Sequence, residues 1–399
     1  MPTRTPKTAP HNGGDNRLPH GWRDALLGDV CEIQLGKMLS PKSKQGHRPL
    51  PYLRNANVQW ERFDLDDVAT MDFNEREETK FALRPGDLLV CEGGEPGRAA
   101  VWQGQIRPCY YQKALHRLRP IENAVDTQFL LYRLRLGGFT GEFLDQNAKT
   151  TIAHLPAVRL AKLTMALPEI PEQRRLAARL RQQLAAVTQA CAAVQAQSEA
   201  LDTLTHAVIR ESLSNGNARP SRFADCLHEV TQGIGDDWRG YPVLGATRAG
   251  LAPAKEGVGK NPGRYKPVRP GTIFYNPMRI LLGSIAMLDE GDKPGITSPD
   301  YVVMTAVPDR LSARWFYYWF RSRYGAEFIK SMTRGAVRER LMFKRLAPTT
   351  LLLPDWRRQQ AADKQLAAIT QAKARLADKL AALDHLPAAL LREAFSGRF

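Results

Sequence analysis

Asn276-Pro277-Met278-Arg279 opens like the Asn/Asp-Pro-Pro-aromatic motif with which an adenine methyltransferase clamps a flipped base, and then departs from it. The second proline and the aromatic ring are missing, and no glycine-rich cofactor loop accompanies the stretch. Glu78-Thr79-Lys80, with Asp66 and Asp67 upstream, fits the acid-x-Lys fragment of a metal-dependent nuclease. Fragments this short arise constantly in charged loops and carry little weight. No G-x-x-x-x-G-K followed by Ser or Thr occurs, so no phosphate-cradling ATPase loop is visible. Five cysteines (Cys31, Cys91, Cys109, Cys191 and Cys226) are odd in number and widely spaced, and no two form C-x₂-C. They argue against a disulfide framework and against a cysteine zinc site. The expectation is a chain that catalyses nothing and holds neither cofactor nor metal itself.

Residues able to bind are better represented. Over 399 residues, 57 Lys and Arg face 41 Asp and Glu, a net charge of +16. Such an excess suits a polyanionic partner, most simply nucleic acid. Tyr52-Leu53-Arg54-Asn55-Ala56-Asn57 and Tyr110-Tyr111-Gln112-Lys113 mix aromatics, amides and bases. Asn or Gln can read adenine edges in the major groove, and Arg or Lys can read guanine. Arg54, Asn55, Asn57, Tyr111, Gln112 and Lys113 are therefore candidate DNA-binding residues. Glu92-Gly93-Gly94-Glu95-Pro96-Gly97-Arg98 is a glycine loop able to bring backbone N–H groups and Arg98 against DNA. Between residues 301 and 350, ten Lys or Arg meet three acids. Arg334 and Arg338 lie in that stretch and suit phosphate contacts. A solvated helix face and a plain hairpin turn are the blander readings of the same residues. The aromatic run at residues 315–320 reads as a core helix.

The elements that must position these residues come in two sets. Residues 183–214 and 365–396 are identical at 16 of 32 positions without a gap, at a constant offset of 182. QLAA, TQA, ALD and RE recur in the same order, which marks a duplication. Both copies are rich in helix formers and lack glycine. Leu180, Leu184, Val187, Cys191, Val194 and Leu201 in the first, and Leu366, Ile369, Leu376, Leu380, Leu383 and Leu390 in the second, step by threes, fours and whole heptads as a coiled-coil seam does. Lys373 and Pro387 interrupt the second seam. Thirty-two helical residues span roughly 48 Å. Before each helix lies a mixed α/β segment. Each segment has a Pro-Gly turn into an apolar strand (Pro85-Gly86 and Pro270-Gly271), an aromatic helix, and a final strand closed by proline (Pro168 and Pro354).

The expected fold is α+β. Two globular mixed α/β domains are separated by two long antiparallel coiled-coil helices, in a pseudo-two-fold repeat. The expected boundaries are a disordered tail at 1–17, domain one at 18–168, a helical spacer at 169–214, a linker at 215–220, domain two at 221–354 and a second helical spacer at 355–399. The tail lacks the apolar stretch of a signal peptide, and no apolar run reaches the roughly 18 residues of a membrane span. A cytoplasmic protein is expected.

Across nearly the whole chain beyond the tail, these features resemble the specificity subunit of type I restriction–modification systems. Leu167-Pro168-Glu169-Ile170-Pro171-Glu172-Gln173-Arg174-Arg175 resembles the family's proline-to-helix junction. Residues 386–397 resemble its C-terminal ending. Residues 52–58, 85–90 and 92–98 resemble one of its target-recognition domains. Residues 274–279 resemble another, which adds Arg279 to the candidate DNA-binding residues. The resemblance implies two target-recognition domains that read a split, asymmetric double-stranded DNA site, and helical regions that act as a spacer and dock two methyltransferase subunits. It also implies motor-nuclease subunits in the full complex, S-adenosylmethionine on the methyltransferase and no catalysis in this chain. One departure stands out. From the closing proline to the shared QLAA the first copy counts 15 residues and the second 11. The expectation is therefore imperfect symmetry where the second domain joins its helix. A free-standing bipartite DNA-binding repressor or architectural protein is the other function these residues allow.

Overall fold

The computed structural model describes residues 18–143, 154–214, 218–333 and 340–397. The expected tail at 1–17 lies outside them, as do Arg334, Arg338 and half of the expected linker. The chain divides into two compact units, Met1–Cys191 with Ala381–Phe399, and Ala192–Leu380. Among the described residues, no helix is long and apolar enough to cross a membrane.

The first unit is built on a four-stranded antiparallel sheet in the order Cys31–Leu35, Leu115–Pro120, Leu88–Cys91, Ala99–Val101. Leu88–Cys91 is buried along its whole length. Successive side chains on a strand point to opposite faces. Leu88 and Val90 accordingly join the core beneath the aromatic helix Thr127–Thr140, while Leu89 and Cys91 join a second core. A smaller sheet, Ala69–Asp72 with Pro49–Leu53 and Tyr110–Tyr111, contributes to that second core. A strand buried on both faces reads as a continuous apolar run, as Leu-Leu-Val-Cys does. Gly86, at φ +93°, makes the turn into it, a left-handed conformation that glycine adopts without a Cβ penalty. A two-stranded ribbon of Arg23–Leu26 and Thr164–Leu167 brings the ends of the domain together.

Within the second unit the plan repeats. Its sheet runs Leu227–Glu229, Val302–Ala306, Thr272–Tyr275, Ile285–Met287, again antiparallel throughout. Thr272–Tyr275 is fully buried. Ile273 and Tyr275 face one core and Phe274 the other. Gly271, at φ +85°, makes the equivalent turn. Arg219–Arg222 pairs with Thr350–Leu353 to close the domain, so its first strand begins at Arg219, inside the stretch expected to be linker. Helix Ala313–Arg321 buries Trp315, Phe316, Trp319 and Phe320, as a core helix should.

The long helices are Ile170–Leu213, of 44 residues, and Trp356–Phe395, of 40. Their ends are packed into the cores of the globules. Leu176, Leu180 and Leu184 of the first share a core with Leu391 and Ala394 of the second in unit one. In unit two, Val208 and Ile209 share a core with Ala362, Leu366 and Ile369. There the helices run antiparallel: Asp202 pairs with Lys373, and the Ser214 carbonyl accepts from Arg358 further along. The lysine that interrupts the apolar seam thus has a carboxylate to meet.

One side chain locks each long helix to its domain. Gln173 is 1 % exposed. Its Oε1 accepts the Asp126 N–H at 2.8 Å, and its Nε2 donates to the Pro168 carbonyl at 2.8 Å. Gln359, also 1 % exposed, accepts the Ser312 N–H at 2.9 Å and donates to the Pro354 carbonyl at 2.9 Å. Asp126 and Ser312 cap the aromatic helices, accepting from the Phe129 and Trp315 N–H groups. One amide therefore satisfies the helix entry, the closing strand and the start of the long helix together. From Pro168 to Gln173 and from Pro354 to Gln359 the count is the same five residues. The expected asymmetry at the second junction is not there. It lies inside the helix, between Gln173 and Gln183, where the first copy is four residues longer, about one helical turn.

Candidate DNA-recognition surfaces

In unit one, the loop of residues 92–98 connects the buried strand Leu88–Cys91 to Ala99–Val101. Arg98 is braced there: Nη2 donates to the Asn55 carbonyl at 3.1 Å and Nη1 to the Glu95 carboxylate at 3.2 Å. Asn55 Nδ2 donates to the Gly93 carbonyl at 2.9 Å, and Trp60 Nε1 to Glu95 Oε1 at 2.7 Å. Gly97, at φ +89°, lies against Phe143, and a Cβ there would come within 2.4 Å of the ring. Parallel pairing of Tyr52–Leu53 with Tyr110–Tyr111 brings the next segment alongside. The Gln112 N–H donates to the Leu53 carbonyl at 3.0 Å, and the Lys113 N–H to the Lys37 carbonyl at 2.7 Å. Arg54, Asn55, Arg98, Gln112 and Lys113 therefore sit on neighbouring loops. Lys113 is exposed, and Arg54 is ion-paired with Asp67 at 2.7 Å.

Two expected base readers are not on the surface. Asn57 is 3 % exposed. Its amide accepts the Arg54 N–H and donates to the Asp64 and Asp67 carbonyls, so it builds the loop that carries Arg54 and Asn55. Tyr111 is fully buried, its ring edge-on to Phe81, and burial pushes its hydroxyl far above the usual tyrosine range. Neither can reach a base edge without leaving the core. Around them, Arg54 Nε, Asn55 Oδ1 and Arg98 Nε are shielded from solvent with no hydrogen-bond partner. Buried polar atoms are normally paired, so this cluster has hydrogen-bonding capacity to spare beside its exposed rim. Further in, His116 is held below the ordinary histidine range by burial, which outweighs the Leu155 carbonyl and Glu92 beside it. Glu78 pairs with Arg48 at 3.0 Å, which places the acid-x-Lys fragment in an ion pair.

In unit two, the loop of residues 276–284 connects the corresponding pair of strands, Thr272–Tyr275 and Ile285–Met287. Arg279 is exposed on it and lines a cavity of about 810 Å³ with Arg248, Lys255 and Arg321. Arg321 is internal bracing, donating to the carbonyls of Arg248 at 2.6 Å and Ile285 at 2.7 Å. Sequence reasoning missed Arg248 and Lys255, which lie in a segment with no signal beyond their charge. It also over-read the basic stretch of residues 301–350. Arg314 forms ion pairs with Asp289 and Asp363, and Arg345 donates to the Met332 carbonyl.

If the rim of unit one meets phosphate, Arg98→Ala should weaken duplex binding and lower the slope of log K against log salt by about one unit. Filter binding at several salt concentrations measures it. An unchanged slope would assign Arg98 to the loop's own scaffold.

Each unit thus offers a polar loop surface carried on an equivalent sheet, and in the second unit that surface is basic. Residues 19–191, which are the first globule and the head of its long helix, match the family model described as the type I restriction modification DNA specificity domain. The class is therefore a DNA-specificity domain whose fold occurs twice in one chain. A curated relative, the type I restriction enzyme MjaX specificity subunit of Methanocaldococcus jannaschii, is 23 % identical over 171 residues. That match covers 40 % of this chain and 39 % of the relative's own length. Among solved structures, the S subunit of a type I restriction–modification system from M. genitalium is 15 % identical, with a TM-score of 0.52 over 96 % of this chain and 97 % of that one. The HsdS subunit from Thermoanaerobacter tengcongensis is 17 % identical, with a TM-score of 0.57 over 97 % and 99 %. A chain from a study of type I restriction–modification complex assembly gives 15 % and 0.67 over 96 % and 100 %. At these identities the structural likeness is one of fold. Residues 19–191 thus belong to the type I restriction modification DNA specificity domain family, and over 96–97 % of the chain the fold is that of the solved S and HsdS subunits.

Proposed function

We propose that this chain is the sequence-reading subunit of a type I restriction–modification complex. It binds double-stranded DNA at a split, asymmetric site, one half-site to each domain. The two long helices set the number of unread base pairs and dock two methyltransferase subunits. Motor-nuclease subunits join to form the restriction complex. Methyl transfer, the S-adenosylmethionine it consumes and the flipping of the target base belong to the methyltransferase. This chain supplies position: it holds the catalytic partners over one sequence and not another. The observation that carries the reading is the repetition of one sheet, one glutamine lock and one strand-connecting loop in two domains whose loop residues differ. Different loops on one scaffold are what two unlike half-sites require.

The test is co-expression with a type I methyltransferase subunit from the same genome. The two should purify together, and the pair should methylate duplex DNA when given S-adenosylmethionine. The chain by itself should bind no S-adenosylmethionine and transfer no methyl group, because Asn276-Pro277-Met278-Arg279 lacks the base clamp. Methyl transfer by the pure chain, or failure to purify with any methyltransferase, would overturn the proposal.

A further inference from the structure

The loop of residues 276–284 holds three of its four large apolar side chains outward. Met278 is 54 % exposed, Leu281 43 % and Leu282 68 %. Exposed apolar groups gathered on one loop mark an interaction site more often than chance. The exposure is not slackness in the chain. The Asn276 side chain accepts the Met278 N–H at 3.0 Å, the Asn276 N–H donates to the Ser284 carbonyl at 3.2 Å, and the Leu282 N–H donates to the Arg279 carbonyl at 3.0 Å. Gly283, at φ +78°, makes the return turn. Ile280, 2 % exposed, anchors the loop in the core, and the Pro277 carbonyl accepts the Leu341 N–H at 3.2 Å. A loop this closely hydrogen-bonded presents its leucines already fixed, which lowers the ordering cost of binding.

Charge narrows the choice of occupant. The cavity beside the loop is lined by Arg248, Lys255, Arg279 and Arg321, and none of its lining residues is acidic. Among the described residues, Arg248, Lys255 and Arg279 have no ion-pair partner. An apolar tip beside a cavity lined by three cations without ion pairs matches a base stack flanked by phosphates. Proteins that bend DNA use Leu, Ile, Met or Phe in this way, entering between base pairs while cations hold the backbone.

We propose that Met278, Leu281 and Leu282 form a wedge that enters a base step of duplex DNA and unstacks it, with Arg248, Lys255 and Arg279 on the flanking phosphates. The inference rests on the DNA-reading function above and adds a distortion to it. It is particular to the second domain. The corresponding loop of the first, residues 92–98, carries two glutamates, three glycines and no large apolar side chain. Unstacking should therefore occur in one half-site and not in the other.

The experiment uses the full chain assembled with its methyltransferase subunits, and duplexes carrying the methylated motif with 2-aminopurine placed at each step in turn. Fluorescence should rise several-fold at one step of one half-site. Leu281→Ala with Leu282→Ala, both exposed and so tolerable to the fold, should abolish most of that rise, weaken binding about tenfold or more, and leave the salt slope unchanged. Arg279→Ala should keep the fluorescence rise and lower the slope by about one unit. Tight binding with no bright step would overturn the wedge and leave the DNA-reading function standing. Loss of the methyltransferase subunits from the double variant would overturn it too, by making the loop a protein-docking surface. Failure of the unaltered complex to bind any duplex would remove the parent reading, and the wedge with it.

Discussion

A four-residue insertion after Gln195 should lengthen the unread spacer of the methylated motif by one or two base pairs and leave both half-sites as they were. Four residues are close to one helical turn and add about 6 Å. One or two base pairs of B-DNA span about 3.4 to 6.8 Å. The apolar seam stays nearly in register, because an added turn returns each side chain to almost the same face. The chain already tolerates such a difference: its long helices have 44 and 40 residues, and the extra turn follows Gln173. Gln195 is exposed and remote from both glutamine locks, so neither domain's loops are disturbed. A two-residue insertion at the same place would turn the seam by about 200° and should abolish assembly. Methylated motifs recovered from cells carrying each variant give the answer. An unchanged spacing, or altered half-site bases, would refute the helices as a ruler.

Gln359→Leu should destabilise the second unit by about 3 kcal/mol. Leucine fills much of the same volume, so the cost comes from polar groups and not from a cavity. The Ser312 N–H and the Pro354 and Arg310 carbonyls all lose their partner in a buried setting. Leaving a buried donor or acceptor unpaired costs about 1–3 kcal/mol each, and some will find water or shift. Hydrogen exchange at the Ser312 amide reads the change directly, and protection there should fall by about two orders of magnitude. Gln173→Leu should do the same to the Asp126 amide in the first unit. Wild-type protection at both amides in both variants would mean that the locks are incidental to the junctions.

Much of this architecture was open to sequence reading because duplication is a long-range signal that survives without structure. QLAA, TQA and ALD at one offset required two copies of a helix, and the Pro-Gly turns required two copies of a strand. Local chemistry was enough to place Gly86 and Gly271, whose positive φ needs glycine. Contacts between distant segments were not legible. Tyr111 looks like a surface aromatic until its strand pairs with Tyr52–Leu53, nearly sixty residues earlier, and closes it into the core. Asn57 looks like an adenine reader until its own loop folds round it and takes every hydrogen bond it has. Arg314 looks like one more surface cation of a basic stretch until Asp289 and Asp363, 25 and 49 residues away, close on it. The shift in offset from 186 at the glutamine locks to 182 at the shared QLAA was present in the residues. It became a helical turn only once both glutamines were seen to make the same bonds.

Methylome sequencing of the host with and without this gene is the most direct test of the claim that the chain reads DNA in two pieces. With the gene, one asymmetric motif interrupted by a fixed number of unspecified bases should be methylated, and deletion should erase that motif and no other. A methylome unchanged by the deletion, or a lost motif that is continuous and palindromic, would contradict the account.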